Sequence, residues 1–360
     1  VKLTLQLRLV PTADQAAALR ATMRAFNAAA THAARVGFEA QLFSAPPIQS
    51  RCYYELRERF GLSAQMAVRA IGKAVECFRR DKTQCPVFRP DGAMTYDERI
   101  LSFKGPSAVS LLTLGGRERI GLLYGAYQRE RFDRIKGQVD LVLRDGAFYL
   151  YATIDLPDGA PVEPEAFLGV DLGIVNLATD SDGRAYTGDA VERVRRRHHK
   201  NRRRLQRRGT RGAKKRLKAL TGREARFRRH ENHVISKAIV TTAQDTARGI
   251  ALENLTHIRT RTTVRHRQRA RQSGWAFAQL RSFVEYKARL RGVRVAVVDP
   301  RNTSRTCHPC GHCEPANRVS QAVFRCRSCA HEAPADLNAA KNLASLAWAD
   351  FNAASDLHAA

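Results

Sequence analysis

Two tight cysteine pairs dominate the chemistry available to this chain. Cys307 and Cys310 are followed fifteen residues later by Cys326 and Cys329, giving C-x2-C-x15-C-x2-C, the spacing of a structural zinc ribbon. Each C-x2-C turn presents two thiolates from one tight loop, and four thiolates satisfy Zn2+ tetrahedrally. Such a site contributes on the order of 10–16 kcal/mol of apparent binding free energy, enough to fold a loop without a core, and residues 311–325 are poor in apolar side chains. Cys313 offers a second pairing, Cys310-x2-Cys313, and His308, His312 and His331 are spare donors. The first cluster therefore admits more than one ligand set. The expectation is one zinc on Cys307, Cys310, Cys326 and Cys329, and the bland alternative is free thiols or disulfides.

Three acids form a sparser set. Asp171 interrupts the apolar run FLGVDLG (167–173), Glu253 follows the apolar residues of GIALENL (249–255), and Asp336 opens a helical pattern seven residues after Cys329. A charge on a buried strand is costly unless it is paired or holds a metal. Clustered carboxylates repel one another without cations, whereas two Mg2+ about 3.5–4 Å apart would be held by them and would activate water for in-line attack on a phosphodiester. For any single acid, a strand-end hydrogen bond or surface charge is an equally good account. The order decides: an acid-bearing strand, a hairpin, a helix, a second acid-bearing strand and a third acid on a late helix is the order expected of an RNase H-like nuclease.

Charge points to a polyanion. The 360 residues carry 62 Lys and Arg against 34 Asp and Glu, a net charge of +28, and a protein this basic is expected to bind nucleic acid. Between Arg193 and Arg229 there are nineteen Lys or Arg and one acid, Glu224, so this stretch holds +18 of the total. A solvated face is the plain alternative, but a run this dense repels itself unless a polyanion neutralises it. The candidate contacts are Arg193, Arg195, Arg196, Arg197, Lys200, Arg202, Arg203, Arg204, Arg207, Arg208, Lys214, Lys215 and Arg216. A second basic run spans Arg259 to Arg271. No apolar run approaches membrane-spanning length, the first ten residues show no signal-peptide pattern, and Cys52, Cys77 and Cys85 are scattered. A cytoplasmic chain without a membrane partner is expected.

The elements that must position these residues follow from periodicity. Residues 1–10 alternate, with Leu3, Leu5, Leu7 and Leu9 on one side, predicting a half-buried strand. Thr12 and Gln15 form a capping-box signature for a helix carrying Leu19, Met23, Phe26 and Ala30. A second helix from Ser63 places Ala67, Ile71, Ala74 and Phe78 on one face. Residues 12–80 thus read as a helical insert in a β domain formed by 1–11 and 81–156, whose clearest hairpin turns at Asp145-Gly146. The proline-rich stretch 157–165 reads as a linker. An α/β domain follows over 166–302 and 333–360, with a basic helical segment at 189–240 and the ribbon, 303–332, inserted. Within it, Leu177 to Thr187 reads as a hairpin and 293–298 as a strand. Residues 275–291 read as an amphipathic helix supported by a Glu285/Arg289 pair.

GVDLG (169–173), LENL (252–255), YKARLRGV (286–293), DPRNTSRTCHPCG (299–311), FRCRSC (324–329) and DLNAAKN (336–342) resemble the TnpB (OrfB) family of transposon-encoded, RNA-guided DNA endonucleases. The specific motifs cover about 166–348; over 1–156 the similarity is one of layout. The resemblance implies an α+β multidomain fold, with a wedge-type N-terminal β-barrel carrying a helical recognition insert, then a RuvC-like nuclease domain with a zinc ribbon. It further implies Asp171, Glu253 and Asp336 as catalytic acids holding two Mg2+, with Asn338 part of the same motif. The four cysteines become the zinc ligands, and the partners become a guide RNA and double-stranded target DNA beside a short flanking motif. A monomer is expected. The chain departs from the pattern at Ala330, where a Gly is usual, and at Pro334 and Ala335, where a polar or basic residue is common.

Overall fold

The computed structural model describes residues 1–255 and 277–359. The second basic run, Arg259 to Arg271, and the first two residues of the 275–291 helix lie outside the described residues. The chain divides into two compact units, Val1–Leu156 and Pro157–Ala360.

In the first unit, β1 (Lys2–Val10) buries Leu5, Leu7 and Leu9 and exposes the residues between them, as strict alternation requires. Six more strands join it: β2 (Met94–Tyr96), β3 (Leu101–Phe103), β4 (Ala108–Thr113), β5 (Gly116–Leu123), β6 (Ile135–Arg144) and β7 (Ala147–Asp155), in the order β2-β6-β7-β1-β5-β4-β3. The edge strands β2 and β3 are joined through 97–100 alone, so the sheet curls until its edges nearly meet. Tyr96 Oη donates to Leu112 O at 3.0 Å across that gap. Asp145 and Gly146, with φ of 51° and 80°, turn β6 into β7. Two successive positive φ values match the twist of the flanking strands.

Three helices pack with this sheet: α1 (Ala13–Glu39), α2 (Ala45–Phe60) and α3 (Ala64–Arg80). The Thr12–Gln15 capping box is formed in both directions. Periodicity does not predict α2, because it buries only Ile48, Cys52 and Leu56, one residue per turn. Its prolines, Pro46 and Pro47, sit in the first turn, where a backbone N–H has no intrahelical acceptor and its absence costs no bond. Met23, Phe26, Ile71 and Phe78 share one buried cluster with Leu7, Leu9 and Leu150, so the helices complete the core of the sheet. A short α4 (Ala126–Arg129) follows β5.

The second unit is built on β8 (Phe167–Asp171), β9 (Asn176–Asp180), β10 (Ala185–Thr187), β11 (Gly249–Glu253) and β12 (Val295–Val298), ordered β10-β9-β8-β11-β12. Strands β8, β11 and β12 are parallel, and β9 is antiparallel to β8 and β10. Helices α5 (Asp189–Arg208), α6 (Arg211–Leu220) and α7 (Arg223–Asp245) connect β10 to β11; α8 (Phe277–Leu290) leads to β12 and α9 (Ala335–Ala359) closes the unit. Leu168, Val170 and Leu252 pack with Ile239 of α7 and Val284 of α8, while Phe167 and Ala251 pack with Leu343 and Ala347 of α9. Burial on both faces explains why β8 and β11 read as apolar runs.

Two expectations are corrected here. Residues 157–165 are no free linker, because Gly159 and Val162 donate backbone hydrogen bonds to Arg289 O and Gly292 O, and Glu165 donates to Ala247 O. Glu285 pairs with Arg281 at 2.7 Å, not with Arg289, whose guanidinium is taken by Asp158 at 2.8 Å. The Arg289–Asp158 pair is exposed and the Arg281–Glu285 pair half-buried, and each arginine takes the carboxylate that lies closest.

Candidate metal centres and nucleic-acid interface

Strand periodicity decides where the acids point. Phe167, Gly169 and Asp171 alternate onto the face covered by α9, as do Ala251 and Glu253. Both acids thereby sit on one face, at the carboxyl ends of adjacent parallel strands. Gly169 brings α9 onto that face: a Cβ there would lie 1.8 Å from Ala340 O. The approach sets Asp336, in the first turn of α9, over the same end of the sheet. All three acids line one cleft of about 900 Å3.

The cleft is electrostatically tense. Burial, then the charge of Asp336, raises the Asp171 carboxyl to about 7, opposed by Arg318. Burial and the charge of Asp171 raise Glu253 to about 8, against the Leu172 N–H that donates to Glu253 Oε1 at 3.0 Å. Asn176 Nδ2 donates to Asp336 Oδ2 at 2.9 Å. Hard oxygen donors that resist ionisation in one another's company, opening on a cleft, suit a divalent cation such as Mg2+. Asn176 and Arg318 also line this cleft and were not singled out from the sequence. Asn176 opens β9 three residues after GVDLG, a weak signal; Arg318 lies in the irregular middle of the ribbon and carries none.

The cysteines converge more tightly. The Sγ atoms of Cys307, Cys310, Cys326 and Cys329 lie within 4.8 Å of one another, with Cys307–Cys329 and Cys310–Cys326 both at 3.6 Å. Zn–S bonds of about 2.3 Å in a tetrahedron require S···S edges of about 3.8 Å, so the cluster can hold a metal. Each pair lies on a backbone knuckle: Gly311 N donates to Cys307 O, Cys307 N to His312 O and Cys326 N to His331 O. The N–H groups of Cys329 and Ser328 hold the Cys326 thiol down to about 6, whereas burial pushes Cys307 up to about 12. A cation is what brings all four to thiolates together. Cys313, His308, His312 and His331 stand outside the cluster; Cys313 instead bridges Thr306 in the backbone.

The ribbon, with its β13 (Val323–Arg325) and β14 (Glu332–Pro334) hairpin, is tied to α9 by two asparagines. Asn338 Oδ1 accepts from His308 N at 3.1 Å and its Nδ2 donates to Thr306 O at 2.8 Å. Asn342 Nδ2 donates to Thr303 O and Thr306 O at 2.8 and 2.7 Å. Ala335 packs with Cys307, Phe324 and Cys326, which explains the small residue beside Asp336. Ala330 has φ of 59°, the left-handed region that a glycine occupies without strain.

Among the basic candidates, Arg195, Arg196, Lys200, Arg203, Arg204, Arg207 and Arg208, with His199, line a groove of about 600 Å3 along α5. Arg216 and Arg204 line a second, with Leu205 and Arg223, between α5 and α6. Arg193, Arg197, Arg202, Lys214 and Lys215 are exposed outside both grooves. Arg195 is doubly bonded to Glu192 at 2.7 and 2.8 Å, and Arg196 shares that carboxylate, so both are partly neutralised. Among the described residues, no helix is long and apolar enough to cross a membrane.

Two family profiles match the chain: one described as probable transposase over residues 152–259 and one as Cas12f1-like, TNB domain, over 277–343. The CRISPR-associated endodeoxyribonuclease Cas12f1 of Sulfoacidibacillus thermotolerans is 34% identical over 219 residues, covering 56% of this chain and 50% of that protein. A putative RNA-guided DNA endonuclease, InsQ, of Escherichia coli is 26% identical over 308 residues, covering 78% and 72%. The chain thus spans about half the length of the first relative and nearly three quarters of the second. A Cas12f1 structure, solved as a complex with single-guide RNA and target DNA, superposes with a TM-score of 0.63 at 15% identity, covering 96% of this chain and 98% of that one; at that identity it speaks for the fold. The mixed α/β multidomain fold, the two matched profiles and the shared motifs all bear out the resemblance to the TnpB (OrfB) family.

Proposed function

We propose that this chain is an RNA-guided, Mg2+-dependent DNA endonuclease of a transposable element, auxiliary to transposition, that cuts DNA beside a short flanking motif. One observation carries the reading: Asp171, Glu253 and Asp336, from three elements 82 and 83 residues apart in sequence, line a single cleft at the carboxyl ends of parallel strands. Two Mg2+ bound there would supply Lewis acidity and an activated water for in-line displacement at phosphorus. Asp171, on strand β8 between β9 and β11, would hold both ions, with Glu253 and Asp336 each holding one. The Leu172 N–H orients Glu253, and Asn176 orients Asp336. Arg318 adds a fixed positive charge to the cleft wall, where a phosphodiester would lie.

The remaining roles follow from charge and metal chemistry. Cys307, Cys310, Cys326 and Cys329 hold a structural zinc that fixes the ribbon against α9 and so steadies Asp336. The α5 grooves bind phosphates of a guide RNA, which would pair with one strand of target DNA. Two relatives whose names specify CRISPR-associated and RNA-guided DNA cleavage support this partner set. The protein would act as a cytoplasmic, nucleoid-associated monomer. The test measures cutting and binding separately for Asp171→Ala, using the co-purified RNA, a matched DNA target and Mg2+. Cutting should collapse while binding survives, because the carboxylate does not touch the basic helices. If the variant cuts at the parental rate the metal-site reading fails; if the parent binds but never cuts, whichever divalent ion is supplied, the chain is a guide-directed repressor.

A further inference from the structure

Resting on that metal-site reading, we propose that the Thr179 hydroxyl is a positioning residue of the cleft, holding a cation-bound water opposite Asp171. Thr179 is the cross-strand partner of Asp171 in the β8–β9 pair. Directly opposed residues of an antiparallel pair point to the same face with Cβ atoms about 4.5–5.5 Å apart, so Thr179 shares the α9 face with the carboxylate. It lines the same cleft. Its other cross-strand partner is Ala185 of β10, also in the cleft wall, whose methyl side chain has no polar group to offer the hydroxyl.

Thr179 is only 4% exposed, and its Oγ1 is buried without a hydrogen-bond partner among the described residues. The polar groups around it are satisfied: Asn176 bonds Asp336, Glu253 accepts from Leu172, and Thr303 Oγ1 donates to Pro300 O. Leaving a buried hydroxyl unpaired costs free energy, and valine has the same shape and a stronger preference for strands. A strand position that only packed would suit valine better. The hydroxyl can accept from a water bound to a cation at Asp171 and donate in the opposite direction. Being neutral, it does so whatever the protonation of the neighbouring carboxylates. Partners of this outer kind orient what the carboxylates bind without ligating it.

The test uses the full chain with its co-purified RNA. Mn2+ binding is followed by electron paramagnetic resonance, and the site is defined as the fraction lost in Asp171→Ala. Thr179→Val should weaken that fraction about tenfold, the lower end of what outer partners of a metal site are worth, while leaving metal-free Tm unchanged or raised. Thr179→Ser, which restores the hydroxyl, should recover parental binding. A merely structural threonine predicts the reverse pattern, with valine tolerated and serine, which lacks the methyl, destabilised. Unaltered Mn2+ binding in Thr179→Val, or serine as defective as valine, overturns the proposal. Should valine fail to fold, Thr179→Ala against Thr179→Ser gives the same contrast. If the parent itself shows no Asp171-dependent Mn2+ binding, the metal-site reading fails first, which separates the two.

Discussion

Asn338 and Asn342 offer a sharp test of how the ribbon is held to α9. Both side chains are almost wholly buried, at 1% and 7% exposure, and they converge on one acceptor, Thr306 O. Asn338→Ala removes two part-buried hydrogen bonds worth about 1 kcal/mol each, one from His308 N and one to Thr306 O, so a loss of about 2 kcal/mol is expected. Asn342→Ala removes its bonds to Thr303 O and Thr306 O, about 2 kcal/mol. In either single variant Thr306 O keeps one donor. Only the double variant leaves it with neither, adding roughly 1 kcal/mol for a half-buried carbonyl without those partners. The cycle should therefore be superadditive by about 1 kcal/mol, whereas cavity terms common to single and double variants cancel. Urea unfolding can be followed by Trp348, which stacks on Phe351 at 5.6 Å, in a Trp275→Phe background that leaves it the sole tryptophan. Metal release to a chelator provides the second readout. Strict additivity would show that the two asparagines are not coupled through Thr306 O, and a total loss below about 1 kcal/mol would show that the ribbon does not rest on them and that Asp336 is seated by other contacts.

Three further outcomes follow from the geometry. Ala330→Gly should stabilise the metal-loaded ribbon by about 1–2 kcal/mol, because it removes a Cβ from left-handed backbone, and a midpoint no higher than the parent's would contradict that. Asp171 and Glu253, raised to about 7 and 8, bind protons in the metal-free fold that the unfolded chain has lost; stability should thus fall as pH rises through 7–8, while the Tm gain on adding Mg2+ should grow, since the cation displaces those protons. Both trends should vanish in Asp171→Asn/Glu253→Gln, as melting curves at pH 6, 7 and 8 will show. If about six residues of 193–229 touch single-stranded RNA phosphates, log affinity should fall with log salt at about −0.7 per contact, and replacing Arg202, Arg203 and Arg204 with Gln should reduce the slope by about two. An unchanged slope would make that stretch of α5 a solvated face.

Much of this protein is legible before any coordinate is known, because the signals are short in range. Leucine alternation in β1, the Thr12–Gln15 cap, the Asp145-Gly146 turn and the cysteine spacing each need only a few consecutive residues to act. The three acids are legible for a different reason: a carboxylate on an apolar strand is conspicuous, and a strand period of two assigns Asp171 and Glu253 to their faces. What the one-dimensional string leaves open is partner choice. Glu285 could have met Arg289 or Arg281, and only the arrival of Asp158 beside Arg289 resolved it. Cys313 is spaced as well as Cys307 for a knuckle, yet the turn from Cys307 to His312 directs it away from the sulfur cluster. Arg318 sits in a stretch with no pattern of its own and Thr179 in a hairpin whose face the pattern alone does not mark as functional; they acquire meaning because the ribbon and β9 carry them to the cleft that Asp171 occupies. Local periodicity determines which face a side chain takes; which atom it meets there depends on backbones that the fold brings together, Asp158 beside Arg289 from 131 residues away among them, and packing alone decides that.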